Sequence, residues 1–211
     1  MIGPLERGVY LASRSPRRRE LLTQIAVRFH LLLFRDRPGE GLDVDEISMP
    51  DEAPDVYVVR MARSKAEAGW RRMTQRNLPL SPVLAADTTV ALGNRIFVKP
   101  VDRREAAEMI GQMSGRSHEV LTAVALKHHD WMESALSRSE VRFKPLSAAE
   151  INQYVASGEG DDKAGAYAIQ GRAARFIVEL RGSYSGVMGL PLYETAQLFE
   201  RLEETRGRNS H

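Results

Sequence analysis

Short apolar runs alternate with stretches of helical periodicity along the whole chain, and that alternation most restricts what the chain can fold into. Strand and helix in repeated succession, with no internal repeat and no low-complexity segment, predict the α/β class with a mixed sheet. The first run, Val9-Tyr10-Leu11-Ala12, meets Ser13-Arg14-Ser15-Pro16, where Ser15 is placed to cap a helix and Pro16 suits its first turn. Leu21, Leu22 and Ile25 then recur at helical spacing, while Arg17, Arg18 and Arg19 crowd the helix start, the end that already carries positive partial charge. A bound anion would offset that crowding.

A second strand is expected over residues 29–34, then a polar, Pro/Gly/acid-rich loop over 35–54. From Asp55, the positions Val56, Val59, Ala62, Ala66 and Trp70 share one helical face, leaving Arg60, Arg63 and Lys65 off its most apolar line. Val83-Leu84-Ala85-Ala86 reads as a buried strand that ends on Asp87-Thr88-Thr89, and a hairpin is expected around Gly93-Asn94. Asp102 to Glu105 and Ser147 to Glu150 have capping-box spacing, each before a helix, and Gly158 ends the second of these. Residues 119–126 and 135–143 read as another hairpin, with His128, His129 and Asp130 between the strands. Residues 193–202 predict an amphipathic helix and 203–211 a frayed end.

Composition excludes several functions. The chain has 211 residues and no cysteine, which removes a disulfide scaffold, a thiolate metal site and a cysteine nucleophile, and suits the cytoplasm. Thirty Lys and Arg against 28 Asp and Glu leave a formal charge of +2, too little for a surface built to hold duplex nucleic acid. No apolar run approaches the roughly 18 residues of a membrane helix, and the first residues lack the order of an export signal. The phosphate loop of the nucleotide-driven motors is absent, and Gly182-Ser183-Tyr184-Ser185-Gly186 centres on tyrosine, not on a nucleophilic serine. The five histidines include no pair at helical metal-ligand spacing; adjacent His128 and His129 are expected to point apart, and His118 to be a satisfied polar residue at a strand start. What remains is an anion site plus carboxylates: Ser13, Ser15, Arg17 and Arg18 at a helix start, Glu46 in the acidic loop, Lys65, Asp87 at a strand end, and Lys99 before Pro100.

Together these segments resemble the Maf family. Leu11-Ala12-Ser13-Arg14-Ser15-Pro16-Arg17-Arg18, with Glu20-Leu21-Leu22, is similar to the family's opening motif. Val44-Asp45-Glu46 with Glu52, then Arg60-Met61-Ala62-Arg63 with Lys65-Ala66, follow. Next come Ala86-Asp87-Thr88-Thr89-Val90, Lys99-Pro100, and Ser114-Gly115 with His118, Val120 and Thr122. Asp162-Lys163-Ala164-Gly165-Ala166-Tyr167 with Ile169-Gln170-Gly171, Gly182-Ser183-Tyr184, and Gly189-Leu190-Pro191-Leu192 with Glu194-Thr195 complete the order.

The resemblance implies an elongated mixed sheet with flanking helices in two lobes around a cleft, similar to the inosine triphosphate pyrophosphatases. It implies one domain over residues 1–205 and a frayed tail over 206–211. It also implies a nucleoside triphosphate pyrophosphatase that cleaves between the α- and β-phosphates with a divalent metal, magnesium or manganese, in nucleotide-pool housecleaning. Asp-Thr-x-Val and Tyr-x-Ile-Gln-Gly, both present here, mark the branch acting on dTTP and UTP. On that basis Asp87 is expected as catalytic base and Glu46 as direct metal ligand, with Asp87 sharing the metal as the alternative. Ser13, Arg17, Arg18, Lys65 and Lys99 are expected on the triphosphate, and Thr88 and Gln170 on the pyrimidine edge, which a side-chain amide can meet as both donor and acceptor. Ala173, Val98 and Arg14 depart from the family pattern and bear on fine specificity. The competing expectations are a pyrophosphatase for a modified purine or 7-methylguanosine triphosphate, and a nucleotide-sensing regulator of septum formation. The expected partner is the nucleotide, with no stable nucleic acid and no membrane; a homodimer is left open.

Overall fold

The computed structural model describes residues 8–34, 44 and 48–208. Most of the loop expected over 35–54 lies outside the described residues, and Glu46 with it.

In chain order the elements are β1 (Val9–Leu11), α1 (Pro16–Gln24), β2 (Phe29–Leu31), α2 (Pro54–Gln75), β3 (Val83–Leu92), β4 (Arg95–Phe97), α3 (Arg103–Met113), β5 (Ser117–His128), β6 (Trp131–Phe143), α4 (Ala148–Ala156), β7 (Ile177–Arg181), α5 (Tyr184–Met188) and α6 (Leu192–Arg208). Two 3-10 turns, Ala164–Ala166 and Arg172–Phe176, lie between α4 and β7. The strands form one seven-stranded sheet in the order β2-β1-β3-β5-β6-β7, with β4 against β3. β1 runs parallel to β2 and β3 and the other pairs are antiparallel, so the sheet is mixed as expected.

Alternation along the strands sorts the core into layers. Val83, Ala85, Leu121, Ala123 and Ala125 face Val58, Ala62 and Ala66 of α2. Leu84, Ala86, Val124 and Leu126 face the other way, onto Leu21 and Leu22 of α1 and Leu198, Phe199 and Leu202 of α6. Farther along that second face, Val90, Val120 and Val141 pack with Ile110 and Met113 of α3 and Tyr154 of α4. Between these two apolar clusters the face turns polar: Thr88 lies opposite Thr122, and Thr122 opposite Ser137.

The edge of β3 is what positions a site. β1 accompanies it only through Leu84, and β4 joins at Val90. From Ala85 to Thr89, β3 is therefore paired with β5 on one edge and carries no strand on the other, among the described residues.

The sequence expectations need correction in several places. Asp87 does not end a strand: β3 continues through it, because its ladder with β5 runs unbroken from Val83↔Lys127 to Ala91↔Glu119. β2 stops at Leu31 instead of reaching residue 34. Ser15 occupies the N-cap of α1 without a side-chain cap; the Ser15 N–H donates instead to Ser13 Oγ at 3.2 Å. The Ser147 capping box is complete, but that of Asp102 is half made, since Glu105 Oε2 accepts from the Val101 N–H at 2.7 Å. α6 is helical to Arg208, longer than the 193–202 expected, and 209–211 lie outside the described residues.

Candidate functional site

Asp87 and Thr88 are neighbours on the open stretch of β3, so alternation sends their side chains to opposite faces of the sheet. Asp87 points to the face covered by α2. There Lys65, one residue before the packed Ala66, places Nζ 2.6 Å from Asp87 Oδ1, and each side chain is only 14% exposed. The pair is a charge-compensated carboxylate beside an unoccupied sheet edge, and short charge-assisted contacts of this kind are directional as well as strong.

On the other face, Arg18 closes a ring of contacts. Its Nε donates to the Gly189 carbonyl at 2.7 Å, Nη1 to Ser13 Oγ at 3.2 Å and Nη2 to Thr88 Oγ1 at 3.4 Å. Thr122 Oγ1 lies 3.0 Å from Thr88 Oγ1 and donates to the Gly186 carbonyl at 2.7 Å. Ser13, Arg18, Thr88 and Thr122 thus tie the exit of β1, α1, two adjacent strands and the α5 turn into one unit.

Arg17 diverges from Arg18. Its Nε is buried without a hydrogen-bond partner among the described residues, and its charge acts on Tyr154 and Asp162, which places it toward α4 and the turn that follows. Asp162 is held below the ordinary aspartate value: burial alone would raise it, but its hydrogen bond to Lys163 and the charges of Lys163 and Arg17 outweigh that. An arginine nitrogen buried with no acceptor is costly, and an anionic ligand is the simplest group to satisfy it.

Of the residues singled out in the sequence, the structure brings Lys65 to Asp87, and Ser13 and Arg18 to Thr88. Lys99 and Gln170 are exposed, and neither enters these hydrogen-bonded groups among the described residues. Lys99 follows Val98, whose carbonyl accepts from the Gly165 N–H at 3.3 Å, so it sits beside the Ala164–Ala166 turn. Gln170 is the exposed residue after a buried run, residues 165–169. Glu46 lies outside the described residues, and no cluster of three or more His, Asp or Glu among the described residues is arranged to hold a metal.

Other groups were given no site role in the sequence. Glu52 receives Arg60 in a two-pronged contact, both bonds at 2.6 Å, which with the Met49 N–H brings its carboxyl down to about 2 despite the opposing effect of burial. The eight-residue separation conceals that pair, since nothing local announces it. His118 is only half satisfied: it is 2% exposed, Nε2 meets the Tyr167 hydroxyl at 2.8 Å, and Nδ1 has no partner. His128 and His129 do not point apart; their rings meet edge-on at 4.5 Å, because His129 adopts a positive φ of 53° in a tight turn. A cavity of about 610 Å³ lies along α2, lined by Val56, Val59, Arg60 and Leu136 among others. Leu136 pairs with Ala123 and Ala123 with Asp87, so the cavity is on Asp87's side of the sheet, two strands across.

The site therefore presents a carboxylate whose orientation is fixed by Lys65, with a hydrogen-bonded frame around Arg18 on the reverse face. Comparison with known proteins agrees with that chemistry. The pattern of the family described as Maf-like protein matches residues 8–202. The dTTP/UTP pyrophosphatase of Aromatoleum aromaticum is 59% identical over 93% of this chain and 96% of its own length. Those of Nitrosomonas europaea and Nitrosospira multiformis are each 54% identical, over 95% and 93% of this chain and 97% and 95% of their own lengths.

Proposed function

Since the chain belongs to the Maf-like protein family, we propose that it is a nucleoside triphosphate pyrophosphatase that hydrolyses dTTP and UTP to the monophosphate and pyrophosphate. The observation that carries this reading is the Lys65–Asp87 pair on the stretch of β3 that, among the described residues, is left open between β1 and β4, with Thr88 on the reverse face.

Water must lose a proton as its oxygen bonds to the α-phosphorus, while the bond from that phosphorus to the α–β bridging oxygen breaks and pyrophosphate leaves with the electron pair. Asp87 takes that proton, with Oδ1 oriented by Lys65. Arg17 and Lys99 meet the phosphate oxygens, and the exposed backbone N–H groups at the start of α1 add donors of the same sense. Arg18 acts one step back, holding Ser13 and Thr88 in place. Thr88 and Gln170 read the pyrimidine edge.

Magnesium and manganese ordinarily take one or two protein carboxylates and complete their shell with phosphate oxygens and water, so Glu46 would be a fitting direct ligand even without a three-residue cluster, Asp87 sharing the ion being the alternative to its role as base. When bound, such an ion neutralises charge on the phosphate oxygens. The reading includes a cytoplasmic setting, which suits a cysteine-free chain whose substrates are the nucleotides drawn on by polymerases.

The test is a panel of canonical and modified triphosphates with magnesium or manganese, following pyrophosphate release and thermal stabilisation together. Turnover concentrated on dTTP and UTP is the expected outcome. Turnover confined to a purine triphosphate would move the substrate, and stabilisation by nucleotide without any product would replace the enzyme by a sensor.

A further inference from the structure

Gln170 occupies the third position of a turn closed by the Gly171 N–H donating to the Ala168 carbonyl at 3.1 Å. Its exposed side chain projects from a segment whose preceding residues are buried, so its aim is set by how that turn is held at both ends. The entry is anchored by Tyr167, whose hydroxyl meets His118 Nε2 at 2.8 Å inside the core. The exit leads directly into the Arg172–Phe176 turn, whose N-cap position is Gly171, a residue with no side chain to satisfy the first free N–H groups.

Glu159 supplies that cap from a distance. Its Oε2 accepts from the Arg172 N–H at 2.9 Å, and Oε1 accepts from the Ala173 N–H at 3.4 Å and from the Tyr154 hydroxyl at 3.1 Å. The fit is close enough that a Cβ on Gly171 would stand 2.4 Å from Oε1, so the glycine is what lets the carboxylate reach the turn. Tyr154, 1% exposed, backs the carboxylate from the core. None of these groups is assigned to binding phosphate or taking a proton, yet Tyr167 and His118 fix the chain before Gln170, and Glu159, backed by Tyr154, fixes the two residues after Gly171.

We infer that Glu159 is a positioning residue for base selection: by capping the turn after Gly171 it fixes the direction from which Gln170 meets the nucleobase. The inference deepens the proposed function and rests on its placing Gln170 at the base.

The experiment uses the full chain and the variants Glu159→Gln and Tyr154→Phe. In Glu159→Gln one acceptor is exchanged for an amide NH2 that faces a backbone donor, while size is kept. Wild-type kcat/KM across the triphosphate panel is measured first and by itself decides whether dTTP and UTP are preferred. Selectivity is then the ratio between the nucleotide the wild type prefers and the one it uses least, so the variant is informative whichever base that is. Glu159→Gln is expected to lower this ratio by about tenfold, chiefly through KM of the preferred nucleotide, since small misplacements of a substrate-contacting group have effects of that order. Amide exchange at Arg172 and Ala173 should quicken in the same variant. Tyr154→Phe leaves both backbone bonds to Glu159 intact and is expected to lower the melting temperature while keeping the ratio. A uniform loss on all nucleotides in Glu159→Gln, an unchanged ratio, or unchanged exchange at those two amides would each overturn the inference.

Discussion

Asp87 and Arg18 show how differently two charged residues of one site are employed. Among the described residues Asp87 has one charged partner, Lys65, and lies on a stretch of β3 with an unpaired edge, whereas Arg18 has all three nitrogens engaged by the Gly189 carbonyl, Ser13 and Thr88. Asp87→Asn retains the shape and loses the proton acceptor; its turnover is expected to fall by roughly 10²–10⁴, the usual share of a general base, with the melting temperature near that of wild type. Steady-state rates beside a thermal melt check this, and undiminished turnover would remove Asp87 from its role. Arg18→Lys keeps the charge but has one nitrogen where three bonds are now made. Hydrogen bonds of charged groups contribute about 1.5–3 kcal/mol each, so a destabilisation of about 1–3 kcal/mol is expected in a denaturant titration, allowing for partial rearrangement of the lysine. A loss well below that would mean the ring around Arg18 is not what holds Ser13 to Thr88.

At the scale of elements, glycine positions separate backbone demand from packing demand. Gly165, at φ 68°, would set a Cβ 2.9 Å from the Val90 side chain, whereas Gly93, at φ 60°, has nothing within 4 Å. Left-handed backbone alone costs an L-residue about 1–2 kcal/mol, the penalty expected for Gly93→Ala, and Gly165→Ala should exceed it by a further 1 kcal/mol or more as Val90 is displaced. Equal losses in the two variants would contradict close packing of the Ala164–Ala166 turn on β3. Much at this scale was legible in the sequence: the helix starts after Ser15, Asp102 and Ser147, the helix from Asp55, one residue inside its observed start at Pro54, the Gly93-Asn94 hairpin and the α/β order all follow from local chemistry. What was not legible depends on distant partners. Asp87 reads locally as a turn former but is held in a strand by β5, more than thirty residues away along the chain. The clamp of Arg18 on Gly189 spans 171 residues, and the cap from Glu159 onto Arg172 spans 13 with no local signature.

Over the whole molecule, stability against pH follows from buried titratable groups. Burial brings His118 down to about 4 from an ordinary 6.5, so the unfolded chain binds this proton more tightly than the folded one. Its contribution is complete above pH 6.5 and is lost as pH falls from there to about 4, in all about 3 kcal/mol by the linkage of protons to folding. Glu52 acts in a lower window: paired with Arg60, its carboxyl sits at about 2, so its contribution is present above an ordinary 4.5 and is lost as pH falls from 4.5 through about 2. Denaturant titrations from pH 7 to pH 4 should show the first loss, and His118→Gln should flatten the curve over that interval; a parallel slope in the variant would reassign it. The same frame that buries His118 leaves β3, among the described residues, open between β1 and β4, and the chemistry belongs at that opening. UTP incubated with the protein and magnesium, its products separated and weighed by mass spectrometry, is predicted to give UMP and pyrophosphate in equal amounts. UDP with orthophosphate, or UTP recovered unchanged, would contradict it.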